Sequence, residues 1–153
     1  MKVYLVRHGE ATSKAVDPRR PLTAQGRRDV EKMGAFVKTL GLQVGEIRHS
    51  GKTRAAQTAK ILGAALAPSG RVVEGEDLGP DDAVKPLQRE LAKRDEDLMV
   101  VGHLPFLARL ASELVGAVSG QAVIFPPAGM ACLERQEDGR WSVCWVMGPD
   151  VLR

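Results

Sequence analysis

The chain has 153 residues, of which 44% are hydrophobic and 27% are charged, and these fractions are typical of a globular protein with a genuine core. Its formal net charge of +3 suits an anionic substrate or partner. Aromatic residues make up 4% of the chain and no nucleic-acid recognition motif is found, so we do not expect it to bind nucleic acid.

The cysteine content and the apolar runs bear on where the protein works. Cys132 and Cys144 are too few for a disulfide framework and have no neighbouring ligands at zinc spacing. The start of the chain lacks the apolar segment of a secretory signal, and no later run approaches the length of a membrane span. We therefore expect a cytoplasmic monomer with a single domain over residues 1–153. We expect no metal, no cofactor and no membrane association.

The first predicted element is a short buried strand. Val3–Val6 is an uninterrupted apolar run with two β-branched residues and one aromatic residue, which is typical of a strand covered on both faces of a parallel sheet. Arg7 and His8 follow at its carboxyl end, where open α/β sheets bind their ligands. Gly9 permits the sharp turn that would bring both side chains into one pocket.

A loop, two helices and a second strand are predicted next. Residues 11–21 are polar and interrupted by prolines, as in a loop. A first helix is predicted over residues 23–40, capped by the threonine at its start. A short strand is predicted over residues 44–49, and Ser50 is expected to cap a second helix over residues 51–66.

The following segment predicts a small strand, an acidic loop and a third helix. The strand is placed at Val72–Val73, the loop at residues 74–82 and the helix at residues 83–94. A second buried strand is then predicted over residues 98–101. It ends in Gly102-His103, so both strongly apolar strands end at a histidine that is next to a glycine.

The C-terminal part predicts a fourth helix and a β-hairpin. Pro105 suits the first turn of the helix, because the residues after it are apolar at helical spacing. Residues 130–134 and 141–147 resemble two strands joined by the turn at residues 137–139. Strands alternate with helices along most of the chain, so we predict an α/β fold. It should be a three-layer sandwich, with a mainly parallel central sheet, helices on both faces and a C-terminal β-hairpin.

Three predicted strand ends carry residues that can bind an anion. Arg7 and His8 follow the first strand, Arg54 lies one turn into the helix after the second, and His103 follows the third. We expect these strands to be neighbours in one sheet, so that the side chains converge. Two guanidiniums at a helix N-terminus suit a phosphate, and a neutral imidazole beside them can attack phosphorus and form a covalent intermediate.

The chain contains four short motifs, Arg7-His8-Gly9-Glu10, Leu22-Thr23-x-x-Gly26, Ser50-x-x-x-Arg54-Ala55-x-Gln57-Thr58-Ala59 and Gly102-His103. They resemble the motifs of the histidine phosphatase superfamily, and most closely those of its small SixA-type phosphohistidine phosphatases. Each is weak alone, but together they follow the family's order over nearly the whole chain. The resemblance implies that His8 is the phosphorylated nucleophile and that Arg7, Arg54 and His103 are catalytic and bind the phosphoryl group. Gly9 is also expected to bind phosphate.

Two departures from the wider family bear on the branch to which the chain is most similar. It has Ser13-Lys14 where many members carry an asparagine, and it lacks the long insertion that supplies a glutamate acid. Asp81 and Asp82 are the candidate acids, and solvated loop carboxylates are the alternative interpretation. A phosphoramidate leaves readily once its nitrogen is protonated, so a weak acid favours phosphohistidine as the substrate.

Three functions are compatible with this sequence. The first is a phosphatase for phosphohistidine on proteins, whose partner would be a phosphohistidine-bearing domain. The second is a phosphatase for small phosphate esters. The third is a non-catalytic phosphate-binding module, because fold alone does not fix function; the complete set of His8, Arg7, Arg54 and His103 argues against it. Arg19-Arg20 is interpreted as a solvated pair near the pocket mouth, where it could meet an acidic protein partner.

Overall fold

Strands and helices alternate along most of the chain in the computed structural model, which describes residues 1–118 and 121–152. The strands are β1 (Lys2–Arg7), β2 (Glu46–His49), β3 (Arg71–Glu74), β4 (Leu98–Gly102), β5 (Met130–Arg135) and β6 (Trp141–Met147). The α-helices are α1 (Ala24–Thr39), α2 (Thr53–Leu66), α3 (Lys85–Lys93) and α4 (Phe106–Val115), and a short 3-10 helix covers Pro149–Val151.

All six of these strands form one sheet in the order β3-β2-β4-β1-β5-β6. The first four of that order run parallel, which requires crossover connections, and α1, α2 and α3 supply them. β5 is antiparallel to β1, and β6 is antiparallel to β5. The predicted juxtaposition is confirmed, since the strands that end at Arg7, His49 and Gly102 are neighbours at the centre of the sheet.

The alternation of side chains along β1 divides the core into two layers. Val3 and Leu5 face the cluster that includes the apolar sides of α3 and α4. Tyr4 and Val6 face the cluster built with α1 and α2. Because a strand sends successive side chains to opposite faces, the apolar run is buried on both sides, and the predicted three-layer sandwich is confirmed.

The predicted cap of α2 is wrong. Its N-cap is Lys52, which makes no side-chain capping hydrogen bond, and the helix begins at Thr53. The Ser50 hydroxyl instead lies 2.6 Å from Nε2 of His103. A serine just before a helix is therefore used here to hold a side chain of the neighbouring strand end.

The predicted cap of α1 is confirmed, and it fixes that helix against the turn after β1. Thr23 Oγ1 accepts a hydrogen bond from Gly26 N at 2.9 Å. A Cβ on Gly26 would overlap the carbonyl oxygen of Glu10, so no larger residue fits without displacing backbone. The chain segment that follows His8 is thereby held directly on the start of α1.

The predicted C-terminal hairpin is also confirmed, as β5 and β6. It extends the central sheet, because β5 pairs with β1 along five residue pairs. Within residues 1–118 and 121–152, none of the helices combines the length and the apolarity that crossing a membrane requires.

Candidate active site

The backbone of His8 is fixed on one side by the end of β4 and on the other by the segment just before β5. Its N–H donates to the carbonyl oxygen of Gly102, at the end of β4, with a distance of 3.0 Å. Its carbonyl oxygen accepts from the N–H of Ala128 at 3.1 Å. The residue is held as firmly as a strand residue, although it lies just beyond the end of β1.

A short hydrogen bond fixes the tautomer of the His8 ring. Nδ1 lies 2.7 Å from the carbonyl oxygen of Gly9. Because a carbonyl oxygen can only accept, Nδ1 carries the proton and Nε2 carries the lone pair. Arg54 Nε lies 3.4 Å from that Nε2, a long hydrogen bond that a phosphoryl oxygen can replace. The lone pair therefore faces the group that would hold a phosphate.

The surroundings of His8 keep its imidazole neutral. Burial lowers the pKa of His8 to about 4, although the hydrogen bond to Gly9 opposes the shift. Positive charges act in the same direction as burial, from Arg54, Arg7 and Arg20. At pH 7 the lone pair on Nε2 is therefore free to act as a nucleophile.

Arg7 and Arg54 reach the site from different elements. Arg7 Nη1 donates to the carbonyl oxygen of Phe125 at 2.9 Å, which anchors one side of its guanidinium. Its Nε is buried and makes no hydrogen bond within the described part of the chain, so it is a donor that an anion would satisfy. Arg54 lies in the first turn of α2, where the free N–H groups of the helix also favour anions. Burial lowers the pKa of both arginines.

His103 is the most deeply buried of these side chains, with 1% of its surface exposed. Its ring lies 5.0 Å from the ring of His8, measured between centroids. Nε2 is held by Ser50, whereas Nδ1 is buried and has no hydrogen-bond partner among the described residues. Burial, followed by the nearby charges, lowers the pKa of His103 to about 3. Its imidazole is therefore neutral at pH 7.

The buried neutral state of His103 predicts that the protein loses stability in mild acid. Between its folded pKa of about 3 and the unfolded value near 6.5, the unfolded chain binds a proton that the folded chain does not. The free energy of unfolding should therefore fall as the pH decreases through that window, by about 2 kcal/mol at pH 5 from this residue. We expect urea unfolding at pH 7 and pH 5 to show a fall that is smaller by about that amount in His103→Gln. Equal falls in both proteins would contradict the assignment.

A cavity of about 380 Å³ opens outside Arg54, and we call it the vestibule. Its lining residues are Lys14, Pro18, Arg19, Arg20, Gly51, Lys52, Thr53, Arg54 and Pro80. Five of the nine are cations and none is acidic, which suits an anionic group. The sequence placed Arg20 near the pocket mouth as part of a solvated pair, whereas the structure shows it half-buried in the lining of the vestibule. Arg20 has a φ of 49° and donates from Nε to the carbonyl oxygen of Thr12 at 3.1 Å, a loop conformation that no periodicity encodes.

The expected acids lie in the loop beside the vestibule. Asp81 and Asp82 are both exposed. Asp82 Oδ2 accepts from the N–H of Gly79 at 2.7 Å, which closes a local turn around Pro80. The structure thus gives Asp82 a structural contact, and the acid role of either carboxylate stays a prediction.

The backbone amide of Gly9 makes a hydrogen bond within the protein. Its N–H donates to Oγ1 of Thr58 at 3.1 Å, and that hydroxyl donates to the carbonyl oxygen of Arg54 at 2.8 Å. The Gly9 amide is therefore already engaged by Thr58, and the phosphate contact expected of Gly9 stays a prediction. Thr58 is fully buried and ties the turn after His8 to α2, a role that its place in the motif did not reveal.

Within the described ranges, we find no cluster of three or more potential metal ligands.

The chain is similar to known proteins in both sequence and structure. A family model described as the histidine phosphatase superfamily (branch 1) matches residues 3–78, which include His8 and Arg54. An uncharacterized protein of Picosynechococcus sp. is 34% identical over 85% of this chain and 82% of its own length. Phosphohistidine phosphatase SixA of Escherichia coli is 29% identical over 100% of this chain and 97% of its own. The structure of the protein histidine phosphatase SixA complexed with tungstate superposes with a TM-score of 0.86 and 26% identity, covering 98% of each chain.

Proposed function

Because the chain belongs to the histidine phosphatase superfamily, we propose that it hydrolyses phosphohistidine on proteins through a covalent intermediate on His8. Membership indicates a hydrolase that acts on phosphate esters or phosphohistidine. The observation that best supports the covalent step is the fixed tautomer of His8, whose Nε2 lone pair faces Arg54. The likeness to SixA of Escherichia coli supports phosphohistidine as the substrate.

The proposed reaction has two displacement steps at phosphorus. The Nε2 lone pair of His8 attacks the phosphoryl group, and the phosphorus–nitrogen bond of the substrate breaks. Its electron pair stays on the leaving imidazole, which takes up a proton from solvent. Water then attacks the phosphorus of phospho-His8, which releases inorganic phosphate and returns His8 to its neutral form.

Three other residues have roles in both steps. Arg7 and Arg54 would hold the phosphoryl oxygens, since positioning and charge stabilisation supply most of the catalysis in phosphoryl transfer. We assign the neutral His103 ring a hydrogen bond to the same group, because its Nδ1 is buried without a partner in the described chain. Ser50 would act as a positioning residue through its contact with His103.

Two features favour a protein substrate over a small phosphate ester. The connection between β3 and α3 covers residues 75–84, which is short for a segment that would cap the pocket. The candidate acids in that connection are exposed. A good leaving group such as a protonated imidazole tolerates a poor acid better than an alkyl alcohol does.

The decisive experiment compares kcat/KM for a phosphohistidine-bearing protein with kcat/KM for a panel of sugar and glycerate phosphates. We expect the phosphoprotein to be preferred. A preference for one of the small esters would assign the chain to metabolite phosphatases. Absence of turnover on every substrate would favour a phosphate-binding module.

The role of the exposed carboxylates can be tested on the same two substrate classes. Asp81→Asn and Asp82→Asn should each leave phosphohistidine hydrolysis nearly unchanged, while activity on alkyl phosphates should fall by up to ~10²-fold, because only the poorer leaving group needs an acid. Asparagine at position 82 keeps an oxygen acceptor for the Gly79 amide, so the turn should survive. A loss of that size on phosphohistidine in either variant would show that the residue is an essential acid.

We also propose that the protein works in the cytoplasm. Both of its cysteines are free thiols, with Cys132 buried and Cys144 exposed. An exposed thiol is typical of a reducing compartment. Fractionation of cells that produce the protein, followed by detection with a specific antibody, tests this location.

A further inference from the structure

The vestibule carries more positive charge than the reaction needs. Arg7, Arg54 and His103 already provide donors for one phosphoryl group. Beyond them, the vestibule adds Lys14, Arg19, Arg20 and Lys52. Its lining includes no acidic residue, so these cations outnumber the carboxylates around a wide opening.

This concentration of charge is a local property and not a general one. The chain has 22 lysines and arginines against 19 aspartates and glutamates. The five cations of the vestibule leave 17 for the rest of the chain, which is therefore slightly acidic. A positive field is thus directed at whatever approaches His8.

We call Lys14, Arg19, Arg20 and Lys52 the rim cations, and most of them are exposed. Lys14, Arg19 and Lys52 are exposed, whereas Arg20 is half-buried. Arg19 has one acidic neighbour, with its Nε 3.5 Å from Oδ1 of Asp17, but its side chain is 82% exposed, so the pair is weak. The rim cations therefore retain most of their charge for a partner.

The rim cations come from two separate chain segments. Lys14, Arg19 and Arg20 belong to the loop after β1, and Lys52 precedes α2. Exposed, flexible cations steer and orient a charged surface, whereas a metabolite site needs a few fixed and partly buried polar groups. The arrangement thus fits the surface of a macromolecule better than a small second phosphate.

We propose that the vestibule is a docking surface for acidic side chains that flank the phosphohistidine on the substrate protein. This inference rests on the proposed function and adds the chemistry of the partner to it. An acidic partner should associate faster and dissociate more slowly than a neutral one. The gain should depend on salt, because exposed charges are screened within about 8 Å at physiological ionic strength.

Two phosphohistidine peptides that differ in their flanking residues test the proposal. One carries glutamates on both sides of the phosphohistidine, and the other carries glutamines at the same positions. For the wild type in low salt, we expect kcat/KM to be about tenfold higher on the glutamate peptide, and we expect the two values to converge in about 0.5 M NaCl. In the double variant Lys14→Gln, Arg19→Gln, which lowers the net charge by two, the ratio of the two values should fall several-fold toward one.

Arg89→Glu is the matched control for the change in net charge. Arg89 is exposed on α3, which packs on the opposite face of the sheet from α2. This variant should keep both the activity and the preference of the wild type. If Arg89→Glu loses the preference as well, the effect belongs to net charge and the docking surface is refuted.

The remaining outcomes separate the two proposals. Equal hydrolysis of both peptides by the wild type at every salt concentration would overturn the docking surface and leave the phosphohistidine activity standing. Hydrolysis of neither peptide would overturn the proposed function and this inference with it. Preferential hydrolysis of a small bisphosphate, such as fructose 1,6-bisphosphate, would assign the rim cations to a second phosphate and overturn the protein partner.

Discussion

Replacing His8 with alanine is expected to abolish turnover, with kcat/KM lower by roughly 10⁴-fold or more. The reason is that, in the proposed mechanism, His8 supplies the attacking lone pair, which its hydrogen bond to Gly9 fixes on Nε2. His103 cannot take over this role while Ser50 holds its own Nε2. Rapid mixing with a phosphorylated substrate, followed by an alkaline quench that preserves phosphohistidine, should trap phosphate on His8 of the wild type and none on the variant.

His49→Asn is the matched control for the loss of a histidine at a strand end. His49 ends β2, and its Nδ1 accepts from the N–H of Gly51 at 3.0 Å. An asparagine oxygen can accept the same hydrogen bond, so this variant should be trapped and should turn over like the wild type. Wild-type activity in His8→Ala would require a different nucleophile and would overturn the covalent mechanism.

Replacing Arg54 with lysine is expected to lower kcat/KM by roughly 10²–10³-fold, although the charge is kept. In the proposed mechanism, Arg54 presents a planar fork to the phosphoryl oxygens from the first turn of α2, and a single ammonium cannot reproduce two parallel hydrogen bonds. The loss should appear in kcat as well as in KM, because charge on the phosphoryl oxygens has to be stabilised in the transition state.

Arg109→Lys provides the comparison on a surface that takes no part in the site. Arg109 is exposed on α4. Its replacement should leave kcat/KM unchanged, and both variants should unfold at the same urea concentration as the wild type. An Arg54→Lys enzyme with wild-type kcat/KM would exclude Arg54 from binding the phosphoryl group.

The sheet and the centre of the site could be predicted from the sequence because both depend on local patterns of residues. Val3–Val6 is a continuous apolar run, and such runs are compatible with few environments other than a strand buried on both faces. Once strands and helices alternate, the carboxyl ends of the parallel strands must meet at one edge of the sheet. The convergence of Arg7, Arg54 and His103 follows from that topology.

Prediction from the sequence failed where contacts between distant residues select one of several locally equivalent arrangements of the chain. Serine is a preferred N-cap residue, but the hydroxyl of Ser50 contacts Nε2 of His103, which lies 53 residues further along the chain. Arg20 reaches the vestibule because the loop adopts an unusual backbone conformation at that residue. Thr58 holds Gly9 across 49 residues. None of these partners can be inferred from spacing within one element.

The pairing of β1 has a consequence for how the protein becomes active during synthesis. β1 leaves the ribosome before β4 and β5, but Val3 pairs with Leu98 of β4 and Leu133 of β5. Such distant pairings form slowly, and until they form the apolar strand has no neighbour and is prone to aggregate. His8 gains its backbone partners from the same late pairings, with Gly102 and Ala128. Enzymatic activity should therefore measure completed folding, since a nascent chain that ends before β4 lacks both the partner strand and His103.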